Sequence, residues 1–93
     1  MPAYRDIVRT ERFERELREI EENPRRADEF TEAVEWALAR DPSSGTQIED
    51  DPPIWFIPMA DTLDDSTVAI FYTFDDQVVW LISILKSHLY EIF

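Results

Sequence analysis

Apolar residues crowd into two runs near the C-terminal end of the chain. Thr67–Phe74 reads Thr-Val-Ala-Ile-Phe-Tyr-Thr-Phe, and Gln77–Leu85 reads Gln-Val-Val-Trp-Leu-Ile-Ser-Ile-Leu, with Asp75-Asp76 between them. Runs this rich in β-branched and aromatic residues, split by a short acidic pair, predict an antiparallel hairpin at the centre of a sheet. The pair has no glycine for a two-residue primed turn. The loop either stays at two residues or takes in Gln77, which leaves the register open by one. Alternation puts Val68, Ile70, Tyr72 and Phe74 on one side of the first run, with Ala69 and Phe71 on the other. In the second run Val78, Trp80, Ile82 and Ile84 oppose Val79, Leu81 and Leu85. Both faces of the hairpin therefore call for apolar cover.

Upstream the period changes. Tyr4–Val8 predicts a short first strand, with Tyr4 and Val8 on one side. Thr10 then caps a helix running from Glu11 to Glu22, whose apolar stripe is Phe13, Leu17 and Ile20. The remaining positions are charged, with Glu11 four before Arg15 and Glu14 four before Arg18, as on a solvated face. Asn23-Pro24 ends this helix and starts a second, because proline at the first helical position lacks only a donor the helix does not need. Ala27, Phe30, Val34, Ala37 and Leu38 form its apolar face up to Asp41-Pro42. Trp36 falls off that face, as a partner contact or as the edge of the core stripe. Ser43–Gln47 is turn-forming and Ile48–Pro53 an acidic connector. Ile54–Met59 predicts the second strand, placed at a sheet edge or ended by Pro58, which lacks a ladder donor. A tail runs from Lys86 to Phe93. The resulting order is strand, helix, helix, strand, strand, strand: an α+β domain spanning residues 1–93, with a helix hairpin on a mainly antiparallel four-stranded sheet.

Composition narrows the chemistry. Ninety-three residues make one small core, and 44% hydrophobic content suits a folded chain. With no cysteine, thiolate metal sites and disulfides are excluded. The N-terminus has no apolar signal-like region, and the apolar run Val78–Leu85 is far short of the roughly 20 residues of a membrane helix, so the expectation is a soluble, cytoplasmic protein without a membrane partner. Twenty-one acidic against nine basic residues give a net charge of -12. Such a field disfavours RNA or ribosome binding, although an acidic, lysine-poor surface also suits a salty cytoplasm, where charges are screened.

Few residues suggest a reaction. Asp61, Asp64 and Asp65 share a loop but lack the spacing and glycine of a calcium loop. The only glycine is Gly45, so no phosphate-cradling loop exists, and no cofactor motif is present. His88, the single histidine, titrates near neutrality and lies close to Lys86 and Tyr90, either as an acid–base group or as a surface residue of a tail packed down by Leu89, Ile92 and Phe93.

The element order and the hairpin, with Val68-Ala69-Ile70-Phe71-Tyr72 followed by Asp75-Asp76 and an apolar last strand, resemble the RelE/ParE superfamily of small toxins from toxin–antitoxin pairs. The ending His88-Leu89-Tyr90, with Phe93 beyond, is similar to the termini of its ribonucleolytic members, with one residue more between histidine and phenylalanine. The resemblance implies a partner antitoxin, or a homodimer, on the second sheet face. The candidate contacts are Trp36, Phe71, Trp80 and Ile82. It also implies an mRNA endonuclease with His88, Tyr90 and Lys86 as the catalytic group. The family's sheet arginine is replaced here by Ala69, and Tyr72, of opposite parity, reads as core. The missing arginine and the acidic surface favour the rival reading, a non-catalytic binder such as a topoisomerase inhibitor or a detoxified interaction domain.

Overall fold

A computed structural model describes residues 4–61 and 66–88. The hairpin is there, formed by β4 (Ser66–Phe74) and β5 (Val78–His88). Its loop takes in Gln77: Asp75 Oδ1 accepts from the backbone N–H groups of Gln77 at 2.7 Å and Val78 at 2.8 Å. These two bonds hold the exposed Asp75 carboxyl below its usual range. β4 is the middle strand of a sheet ordered β1-β5-β4-β3-β2. β1 (Asp6–Arg9) runs parallel to β5, while β3 (Pro53–Asp61) and β2 (Thr46–Asp50) complete it in antiparallel fashion.

The sheet thus has five strands, not four, and is mixed. The additional strand is β2, where the sequence suggests a turn and an acidic connector. All five of its residues are exposed, so no apolar alternation marks it. The first strand begins at Asp6 rather than Tyr4, and the segment read as a tail from Lys86 continues β5 to His88. β3 is not an edge strand along its whole length, since β2 pairs with Pro53–Phe56. Pro58, opposite Ala69, lies beyond that stretch, where β3 has only β4 beside it among the described residues. The missing donor falls where the ladder on the β2 side has already ended.

Two helices lie on one face of the sheet: α1 (Glu11–Ile20) and α2 (Pro24–Arg40). Thr10 caps α1 by accepting from the N–H of Phe13 at 3.2 Å, and its hydroxyl also donates to Leu81 O at 2.8 Å, tying the helix start to β5. Asn23 caps α2 through Arg25 and Arg26, and Pro24 opens it. Between helices and sheet are buried Phe13, Leu17, Ala27, Val34 and Leu38 against Val68, Ile70, Tyr72, Val79, Leu81 and Ile84. On α2, Thr31 takes a buried place and Ala37 is exposed, the reverse of the apolar reading. The reason is Arg9 on β1. Its guanidinium reaches Glu35 at 2.6 and 3.0 Å, Thr31 Oγ1 at 2.8 Å and Asp28 at 2.9 Å, so this stripe of α2 is partly polar. Hydrogen bonding to Glu35 is the main reason the Arg9 pKa is raised, despite partial burial.

A second polar fixture holds the start of β2. The buried Tyr72 hydroxyl donates to Pro42 O at 2.5 Å and accepts from Gly45 N–H at 3.2 Å. Burial is the first reason its pKa is raised. Tyr72 is therefore a core residue that pins a loop, as strand parity suggests.

Candidate protein-binding surface

The helices cover one side of the sheet, and the register shows what the other side presents. Where the ladder is regular, residues directly opposite one another share a face. From the pairs Phe56↔Phe71, Pro58↔Ala69, Ala69↔Leu85, Thr73↔Trp80 and Val8↔Trp80, the second face carries Val8, Phe56, Pro58, Ala69, Phe71, Thr73, Trp80 and Leu85. Val8 is 41% and Leu85 49% exposed, Pro58 is exposed as well, and the others are half-buried. Phe56 and Phe71 contact across strands with ring centroids 6.2 Å apart. Among the described residues no element lies over this face, and both helices and their core partners belong to the opposite one.

One irregularity assigns the faces of β5. The β4–β5 register shifts between Phe71 and Tyr72, which pair with Ser83 and Leu81, so Ile82 is the extra residue of a β-bulge. Before the bulge Val79 and Leu81 face the helices. After it Ile84 does, fully buried, and Leu85 turns to the open face. Simple alternation gave these two the opposite sides. The bulge also lets Ser83 Oγ donate to Glu16 Oε1 at 2.7 Å, with Ile84 N–H directed at the same oxygen at 3.4 Å. Burial alone would raise the Glu16 carboxyl, but these bonds and the nearby Arg12 outweigh it and hold the pKa low.

The structure groups some of the candidate residues and separates others. Phe71 and Trp80 share the open face, whereas Ile82, as the extra residue of the bulge, has no partner in the β4 register that assigns it to that side. Trp36 does not join them. It is 58% exposed on the outer surface of α2, with the Arg40 guanidinium 4.3 Å from its ring centroid and Tyr4 on the same cation at 5.9 Å. The helix layer stands between it and the sheet, so one partner patch cannot include all four. Lys86 pairs with Val68 and His88 with Ser66 along β5. Tyr90 and Phe93 lie outside the described residues, as do Asp64, Asp65 and the side chain of His88.

The exposed Lys86 borders a shallow groove lined also by Glu16, Glu19, Ile20, Ile84 and Leu85. Two carboxylates beside the chain's single lysine make a poor seat for a phosphate. No three acidic or histidine side chains converge on a metal position among the described residues. Nor is any described helix long and apolar enough to cross a membrane. Sequence reasoning missed Phe56, Val8 and Leu85 as members of the open face. Phe56 was readable by alternation with Pro58, whereas Leu85 was hidden by the bulge. No protein-family profile, curated protein or solved structure matches this chain.

Proposed function

We propose that this chain is a protein-binding module of the RelE/ParE type, a toxin-family protein that covers its open sheet face with an antitoxin or a second copy of itself and does not cut RNA. The observation that carries the reading is that face: an apolar, aromatic sheet surface on the side opposite both helices, with no covering element among the described residues. Contiguous apolar surface of this kind marks interaction sites in small proteins. The strand-helix-helix order ahead of the hairpin adds to the likeness.

The catalytic alternative draws on Lys86 and His88, two apart on β5, together with Tyr90. Against it stand Ala69 where the family carries a sheet arginine and the carboxylates of Glu16 and Glu19 beside Lys86. Glu16 is held ionised by its hydrogen bonds and would repel a scissile phosphate. Induced expression in a bacterial host tests the reading. Ribosome-bound mRNA stays intact if the chain only binds protein; mRNA cleavage and growth arrest that disappear with His88→Ala would replace the binding reading with an endonuclease. A DNA supercoiling assay separates a topoisomerase-directed binder from an inert one.

A further inference from the structure

We propose that the occupant of the open sheet face is a second copy of this chain, packed sheet on sheet about a twofold axis. This rests on the reading that the face binds protein, and adds which protein. The distribution of charge decides it. The chain carries 21 acidic and 9 basic residues. Yet every open-face position from Ile54 to Pro58 on β3, Thr67 to Thr73 on β4 and Val78 to Leu85 on β5 is uncharged. Among the described residues only the outer strands bring a charge to this side, through Asp6 opposite Val78 and Glu49 opposite Ile54.

A basic protein is the natural complement of a net charge of -12, but it would find no carboxylate in the middle of this face. Its lysines and arginines would be desolvated without a counter-charge. What fits is a flat, uncharged, aromatic surface, and another copy presents one. The size is suitable. β3 and β4 are nine residues long and β5 eleven. With strands about 4.8 Å apart and roughly 3.4 Å per residue, the face is about 20 Å across at its widest and about 30 Å long, narrower where β1 and β2 end, and of the order of the ~800 Å² per partner of a standard interface.

The acidic helices do not obstruct such a sandwich. They lie on the far side of each sheet. With sheets about 10 Å apart and a helix layer about 10 Å beyond each, the two carboxylate-bearing layers are separated by roughly 30 Å. That exceeds the ~8 Å Debye length at physiological salt. The residual like-charge repulsion makes a distinctive prediction: added salt tightens this dimer, whereas it would weaken a complex with a basic partner.

The experiment is sedimentation equilibrium of the full chain from 0.1 M to 1 M KCl, as wild type, Phe71→Lys and the more exposed Leu85→Lys. Far-UV circular dichroism serves as the folding control, and binding of an environment-sensitive apolar fluorophore is read in parallel. The expected result is a particle of twice the 11.0 kDa chain mass whose dissociation constant falls as salt rises. It should weaken at least tenfold in Leu85→Lys, even if Phe71→Lys proves too disruptive to fold. A wild-type monomer that binds the fluorophore overturns the second-copy inference and leaves the protein-binding reading of the face standing. A monomer that binds none overturns both. A dimer indifferent to both substitutions also overturns the inference, because the contact would lie elsewhere.

Discussion

At the scale of single residues, two positions carry consequences that can be measured. Gly45 has φ -81°, which any residue can adopt, so its importance is one of space. A Cβ there would come within 2.3 Å of the Tyr72 hydroxyl and 2.6 Å of Phe56 O. The first neighbour is the loop-pinning hydroxyl and the second is strand backbone, so neither yields cheaply. Gly45→Ala should destabilise the fold by about 1–3 kcal/mol in urea denaturation, as overpacking does. Glu16 gives a pH signature. Its folded pKa lies below the ordinary 4.5, so its bonds to Ser83 and Ile84 contribute stability that is complete above about pH 4.5 and is lost as pH falls through the lowered value. Glu16→Gln should therefore cost about 1 kcal/mol near neutrality, and the gap to wild type should close in acid, as read from thermal midpoints across pH 3–7.

Elements defined by local chemistry were legible in the sequence. Thr10 and Asn23-Pro24 announce the helix starts because a cap and an N1 proline act within one turn, and both act as their residue types imply. Asn23→Ala should lower stability by about 1 kcal/mol and leave the sheet intact, measurable by denaturation and by hydrogen exchange confined to the first turn of α2. What stayed hidden depended on distant partners. β2 is a strand only because Pro53–Phe56 offers it a ladder, and its own residues carry no alternating apolar signal. The bulge at Ile82 has no glycine to advertise it. It shows only against the shifted β4 register, so the sides of Ile84 and Leu85 could not be read by counting from Val78. Thr31 was hidden for a similar reason, since the partner that makes a polar residue welcome there is Arg9, twenty-two positions away.

At the scale of the molecule, the helix pair and the hairpin were readable because each is a long apolar pattern of one period. The open face was readable in outline, since two short helices cover one side of a ribbon that is apolar on both. Its membership was not, because it combines residues from four strands whose order only the fold reveals. The site residues fared unevenly for the same reason: Phe71 and Trp80 converge, Ile82 falls at the bulge, and Trp36 stands on the other side of the helix layer.

The sheet also tapers. Five strands stand side by side at the end marked by Phe56, Tyr72 and Leu81, and among the described residues only β3, β4 and β5 continue past it. A bare strand margin invites unrelated chains to stack onto it without limit. In β3 the imino ring of Pro58 sits along that margin. Pro58→Val would restore a donor to a stretch reading Ile-Val-Met-Ala. Its expected phenotype is fibre growth, detected as thioflavin fluorescence on incubation at concentrations where the wild-type chain stays clear. A ring kept for what it withholds is then a safeguard against polymerisation, acting on one of the margins that the short outer strands leave bare among the described residues.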